Sequence, residues 1–262
     1  MIAPNPSTSL PEKFRLKVKR SEGEGKSSYF QTFEVPLRKS MNIISALQYV
    51  AANPTTVEGK RVEPVVWDSG CLEEVCGACT MVINGRVRQS CSCLAEEVLD
   101  HHDTITLEPM SKFPVVRDLW VDRQRMFDNL KKVHAWVPVD GTHDLGPGPR
   151  ETQEEQEERY ALSRCMTCGC CLEACPQFTK ENDFAGAQVF GQVVYFNAHE
   201  TGKQLRDERL DEMMKPGGIT DCGNSQNCVK VCPKELPLVD AIAKLGRQTT
   251  FHAFKRFFVS KK

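Results

Sequence analysis

Phe14, Leu16 and Val18 alternate with Arg15, Lys17 and Lys19, the period of two that a half-buried strand requires. A looser alternation from Tyr29 to Val35 follows the Gly/Ser/Glu-rich SEGEGKS, so the two runs predict a β-hairpin. The period then changes. In NIISALQYVAAN the apolar residues Ile43, Ile44, Leu47 and Val50 share one helical face, and Asn53-Pro54 ends the helix. Further on, TMVINGRVRQSC carries Asn84-Gly85, the strongest short hairpin signal, and TITLEPM at 104–110 predicts another strand. Strands and one helix around a cysteine loop predict a β-grasp domain over residues 1–112.

After Phe113 the periodicity fades, and the Gly/Pro-rich DGTHDLGPGPR closes a stretch read as a connector over 113–150. Thr152 and Glu155 then have the spacing of a capping box, and ETQEEQEERYALS predicts a helix. Gly217-Gly218 breaks a mostly helical remainder, and Pro237 to about Phe258 predicts a final helix. The fold class expected is α+β, with a helical domain over 151–262.

Composition narrows the partners. The 262 residues carry 34 basic and 35 acidic side chains, a formal charge of −1, which gives no reason to expect a nucleic-acid partner. The N-terminal MIAPNPSTSLPEKF lacks a basic segment followed by an apolar one, so no secretory or transit leader is expected. No run of about 18 apolar residues occurs, so no transmembrane helix is expected.

The thirteen cysteines change the picture most. Eleven of them fit the ligand spacings of three tight groups, a pattern that favours metal ligation over disulfides in a reducing compartment. The first group is Cys71-x4-Cys76-x2-Cys79, with Cys91 eleven residues later. This is the plant-type spacing for a [2Fe-2S] cluster. Gly77 allows a tight turn, so that amide N–H groups can reach an anionic cluster. Four thiolates could also hold zinc, but zinc sites usually pair two short cysteine motifs.

The second group, RCMTCGCCLEACPQF, fits C-x2-C-x2-C-x3-C-P through Cys165, Cys168, Cys171, Cys175 and Pro176. In two-cluster ferredoxins the fourth cysteine of such a run ligates the other cluster. Cys170, off register, and Cys93 read as small buried hydrophobes. The third group, DCGNSQNCVKVCPKE, supplies Cys222, Cys228 and Cys232, with Ser225 where a further cysteine would stand. Exchanging the last cysteine of each motif gives Cys165, Cys168, Cys171 and Cys232 for a [4Fe-4S] cluster. Cys175, Cys222 and Cys228 remain. A hydroxyl is a poor iron ligand beside thiolates, so that site is expected to lack one iron and hold [3Fe-4S]. An oxidised three-iron cluster is all-ferric and accepts an electron more readily than a low-potential four-iron cluster, cluster type being one determinant of potential.

A plant-type [2Fe-2S] domain followed by a helical domain with one four-iron and one three-iron ligand set resembles the iron–sulfur subunit of succinate dehydrogenase/fumarate reductase. The resemblance runs through nearly the whole chain from Phe14. Within that family CLEEVCGAC, FPVVRDL, DLGPGPR, CMTCGCCLEACP and DCGNSQNC look most like the Bacillus-type, menaquinone-linked members. It implies an all-α two-cluster ferredoxin fold for the second domain and a complex in which a separate flavoprotein subunit with FAD interconverts succinate and fumarate. Electrons would then pass through [2Fe-2S], [4Fe-4S] and [3Fe-4S], in that order, to a membrane-anchor cytochrome b and its quinone. The subunit would sit peripherally on the cytoplasmic face of a bacterial cell membrane. Ubiquinone-reducing members carry tryptophans after the middle Cys-Pro and a histidine after the first cysteine of the late motif. Here Thr179-Lys180 and Gly223 stand in those places, which implies menaquinone bound by a dihaem anchor instead.

No G-x-G-x-x-G follows a strand, so neither an FAD or NAD site nor a catalytic residue is assigned to this chain. Two rivals remain: an iron–sulfur subunit of the glycolate oxidase or heterodisulfide reductase type, which usually completes both four-iron motifs, and a zinc-stabilised interaction module. The C-terminal HAFKRFFVSKK mixes Phe251, Phe254, Phe257 and Phe258 with Lys255, Arg256, Lys261 and Lys262. It reads either as an edge that meets the anchor or lipid or as a last helix packed on its own domain. His101-His102 reads as a solvated turn, His199 and His252 as ordinary helix residues, and EEQEER at 154–159 as a solvated face.

Overall fold

The computed structural model describes residues 10–99, 102–138 and 150–259. The chain divides into two compact units, Met1–Asp122 and Arg123–Lys262. His101, most of the Gly/Pro-rich 140–150 stretch, the first nine residues, Lys261 and Lys262 lie outside the described residues.

In the first unit β1 (Lys13–Ser21) pairs antiparallel with β2 (Ser28–Pro36) and parallel with β5 (Thr104–Glu108). The strands β3 (Thr80–Ile83) and β4 (Arg86–Gln89) complete a mixed five-stranded sheet in the order β2-β1-β5-β3-β4. The alternation that predicts β1 sets its register, because Phe14, Leu16 and Val18 are all buried. Helix α1 (Ile43–Ala52) buries Ile43, Ile44, Ala46, Leu47 and Val50 in the same core. Its N-cap Asn42 accepts from the Ser45 N–H at 2.8 Å and donates to the Cys91 carbonyl at 2.9 Å. The cap thus ties the start of α1 to a candidate iron ligand. The short helix α2 (Ala95–Val98) leads toward β5.

Residues 113–121, placed in a connector by the sequence reading, form a small hairpin, β6 (Val115–Arg117) and β7 (Trp120–Val121). Phe113, Leu119 and Val121 are buried. Asp118, at the turn, accepts from the Arg20 guanidinium at 2.9 Å and from the Ser21 and Val66 N–H groups. Both Arg20 and Asp118 are buried, so the charge pair is also fully hydrogen-bonded, the condition under which such burial is tolerated. An Arg-Asp step in a short run has no alternation to reveal it, which is why this hairpin is not legible in the sequence.

The second unit has no strand among its described residues. It consists of α3 (Gln124–Lys132), α4 (Gln153–Ser163), α5 (Cys170–Glu173), α6 (Ala187–Ala198), α7 (Arg206–Met213), α8 (Asn227–Lys230) and α9 (Leu238–Val259). Helix α6 is central: Val189, Phe190, Val193 and Val194 are fully buried, and it packs along α9 and α4. Thr152 and Glu155 form the expected capping box at the start of α4. Gly217 has φ 85°, and a Cβ there would lie 2.4 Å from the Asp183 carbonyl oxygen, so glycine is required where α7 gives way to the late cysteine segment.

Candidate metal centres

The first cysteine group sits on a loop leading into β3, with Cys91 just beyond the end of β4. Asn84 (φ 48°) and Gly85 (φ 73°) turn the β3–β4 hairpin, and its Thr80–Gln89 pairing brings Cys79 and Cys91 to one end. The Ser90 hydroxyl donates to the Cys79 carbonyl at 2.9 Å and locks that end. Leu72, Glu74 and Gly77 have left-handed backbones, which turn successive N–H groups inward. Cys71 Sγ accepts from the N–H groups of Glu73, Val75 and Cys76 at 3.4, 3.2 and 3.3 Å. Cys76 Sγ accepts from Cys71 and Ala78, both at 3.4 Å, and Cys91 Sγ from Glu74 at 3.3 Å.

Such a ring of donors is suited to thiolates carrying shared negative charge. The N–H groups of Glu73, Val75 and Cys76 bring the Cys71 pKa down to about 7. Burial pushes that of Cys79 up to about 12, so this thiol must give up its proton as iron binds. Cys71 and Cys76 lie toward the surface, Cys79 and Cys91 in the core. Cys93 is buried beside them, as its reading as a small hydrophobe requires, and Arg88 reaches its sulfur at 3.9 Å.

The second unit gathers cysteines from distant segments. One cavity is lined by Cys165, Cys168, Cys171 and Cys232, together with Cys170. Another is lined by Cys175, Cys222 and Cys228, with Ser225 among its walls. The two runs therefore meet by exchanging their last cysteines. Thr167 (φ 52°) and Gly169 (φ 89°) bend the first run, Asn224 (φ 51°) and Gln226 (φ 60°) the second. Burial raises the pKa of Cys165, Cys171 and Cys228. That of Cys168 is lowered, chiefly by a hydrogen bond from the Cys170 thiol. Cys170 is fully buried, as its reading as a small hydrophobe requires.

No disulfide forms among the described residues, which include every cysteine. Nor do any three His, Cys, Asp or Glu side chains among them close on a single metal ion. In the second unit the sulfurs line two cavities, an arrangement suited to multi-atom clusters.

Two features escaped the sequence reading. The Arg125 guanidinium donates to the carbonyls of Thr179 at 2.6 Å, Phe184 at 3.2 Å and Asn182, and lies 4.2 Å above the Phe178 ring. It fixes the loop that follows Cys175-Pro176. Gln188, on the first turn of α6, lines the four-cysteine cavity. Neither residue has a sequence signal, since each acts on groups far away in the chain. His199 caps α6 and accepts the Thr201 and Gly202 N–H groups, while buried His252 meets Asp211 at 2.8 Å.

Comparison with known proteins agrees with this chemistry. The family described as 2Fe-2S iron-sulfur cluster binding domain matches residues 15–128, and the 4Fe-4S dicluster domain matches 161–236. The chain is 52% identical to the succinate dehydrogenase iron-sulfur subunit of Bacillus subtilis (strain 168), over 94% of this chain and 96% of that one. It is 30% identical to the fumarate reductase iron-sulfur subunit of Wolinella succinogenes, over 84% and 89%. A solved structure described as the Mycobacterium smegmatis Sdh1 complex in the apo form shares the fold, with a TM-score of 0.76 at 20% identity over 94% and 98%. A [2Fe-2S] domain thus precedes a two-cluster domain, and the cofactors are [2Fe-2S], [4Fe-4S] and [3Fe-4S]. The chain belongs to the iron–sulfur subunit family of succinate dehydrogenase/fumarate reductase and is an electron-transfer subunit of that oxidoreductase.

Proposed function

We propose that Cys71, Cys76, Cys79 and Cys91 hold [2Fe-2S], that Cys165, Cys168, Cys171 and Cys232 hold [4Fe-4S], and that Cys175, Cys222 and Cys228 hold [3Fe-4S]. The observation that carries this assignment is Ser225 in the wall of the three-cysteine cavity, where a fourth thiolate would complete a four-iron site. Iron–sulfur clusters supply one-electron carriers whose potentials depend on cluster type, hydrogen bonding and exposure. The chain's own work is to bind them through thiolates, to offer N–H donors around Cys71, Cys76 and Cys91, and to keep water from buried Cys171 and Cys228. In fold terms, the first unit is a β-grasp, plant-type ferredoxin and the second an all-α two-cluster ferredoxin, the boundary falling between Asp122 and Arg123. The mixed sheet with α1 packed on it supports the former.

The partners of this reading are an FAD flavoprotein subunit and a dihaem cytochrome b anchor that binds menaquinone, with this subunit on the cytoplasmic face of the membrane. A quinone site within the chain is disfavoured locally. Gly223 and Thr179-Lys180 occupy the places where ubiquinone-reducing members carry the histidine and the tryptophans, and Arg125 holds the Thr179 carbonyl. None of the described helices is long and apolar enough to cross a membrane. The end of α9 offers a surface to the anchor. Phe251, Phe254, Phe257 and Phe258 are 57–68% exposed, so they do not pack on their own domain.

Low-temperature EPR of the oxidised, anaerobically purified complex tests the ligand assignment. A near-isotropic three-iron signal in stoichiometric amount is the expected result. Silence when oxidised, with two four-iron signals on reduction, would mean that Ser225 or water holds a fourth iron. The ligand set would then be of the glycolate oxidase or heterodisulfide reductase type.

A further inference from the structure

Gln188 is 2% exposed, and neither its Nε2 nor its Oε1 has a hydrogen-bond partner. Orphaned buried amides are rare, because each polar atom carries its desolvation cost without return. This one lines the cavity formed by Cys165, Cys168, Cys171 and Cys232. The approach of α6 to α5 fixes its position. Gly186, the N-cap of α6, has φ 83°, and a Cβ there would lie 2.2 Å from Leu172 Cδ2, so the first turn of α6 is pressed against α5. No atom of the described residues supplies the partner that the Gln188 amide lacks, and the cavity it lines is the one that gathers four thiols.

We propose that the Gln188 side-chain amide is a positioning residue for the [4Fe-4S] cluster, donating an Nε2–H hydrogen bond to one of its sulfurs and raising its reduction potential. The inference rests on the assignment of Cys165, Cys168, Cys171 and Cys232 to that cluster. One-electron reduction adds negative charge to the cluster and its thiolates. A fixed donor in a buried cavity stabilises the reduced form more than the oxidised one, so it favours reduction. Of the two ends of the amide only the N–H2 end suits an anionic sulfur.

The test is an EPR-monitored anaerobic redox titration of the cluster-loaded chain, with Gln188→Leu compared to the unmodified protein. Leucine keeps most of the volume and removes the donor. The expected result is a reduction equilibrium constant about tenfold lower, a fall of about 59 mV for a one-electron couple. The [2Fe-2S] and three-iron titrations should not move, which separates tuning from general loosening. Gln188→Met, flexible and unbranched, gives the same reading if leucine prevents cluster assembly. A [4Fe-4S] signal with unchanged potential in either variant overturns the inference. Absence of any [4Fe-4S] signal from the unmodified chain instead removes the ligand assignment beneath it, and the inference with it.

Discussion

Under the proposed ligand assignment, Ser225 leaves its cavity one thiolate short. It lines the wall with Cys175, Cys222 and Cys228, and a hydroxyl binds iron less well than a thiolate. Ser225→Cys is therefore expected to admit a fourth iron. The near-isotropic signal of the oxidised protein should disappear and a four-iron signal should arise on reduction, at lower potential. Persistence of the three-iron signal in that variant would show that the cavity, rather than the missing thiolate, excludes the fourth iron. Arg209 acts at the same scale but for stability. Its fully buried guanidinium donates to the carbonyls of His134, Trp136 and Gly202 and to Asn197 Oδ1. Arg209→Ala should cost about 3 kcal/mol, the penalty for stranding several buried acceptors. At roughly 2–4 °C per kcal/mol, the thermal unfolding midpoint should fall by roughly 6–12 °C. Arg209→Lys should recover only part of this, because one ammonium cannot span the fork. An unchanged midpoint for Arg209→Ala would refute the role.

Among the elements, α9 shows how one helix can serve two ends. Leu238, Ala241, Leu245, Thr249 and His252 are buried at helical spacing, and the helix packs along α6. From Ala253 to Phe258 every residue is exposed. Lys255 and Arg256 turn back toward Asp207 and Asp211 of α7, which leaves the phenylalanines as the outward surface. An apolar cluster of this kind marks an interaction site. Replacing Phe251, Phe254, Phe257 and Phe258 by Ser should leave all three EPR signals intact but abolish co-purification with the membrane anchor. Undiminished co-purification would place the anchor contact elsewhere. The sequence alone left open whether these rings pack inward. Their spacing fits either role, and only the position of α7 and α6 along the helix settles which turns are covered.

Across the whole molecule the two units are expected to depend on iron to different degrees. The first has a continuous core of sheet and α1 residues, with the Cys71–Cys79 loop at its margin. In the second, Cys170, Cys171 and Cys228 are themselves core residues, carried on the four-residue helices α5 and α8. Helices that short do not persist without tertiary support, and cluster binding there is folding free energy. Chelating the iron should therefore leave amide protection in β1, β2 and β5 largely intact, while exchange accelerates across 165–175 and 222–238. Equal loss in both units, measured by hydrogen exchange, would contradict this.

The amino-acid sequence alone encodes the local elements with strong periodicity, β1, α1, the Asn84-Gly85 hairpin and α9, because each carries its signal within a few residues. It also determines the cluster chemistry, since thiolate spacing is fixed by short loops that must wrap a rigid inorganic core. The rest depends on long-range packing. The β6–β7 hairpin exists because Asp118 finds Arg20, 98 residues away, and Arg209 is buried because carbonyls more than 70 residues distant turn toward it. Gln188 faces the cysteines because Gly186 lets α6 approach Leu172. Such contacts depend on where distant backbone comes to rest, and no local period or spacing encodes that.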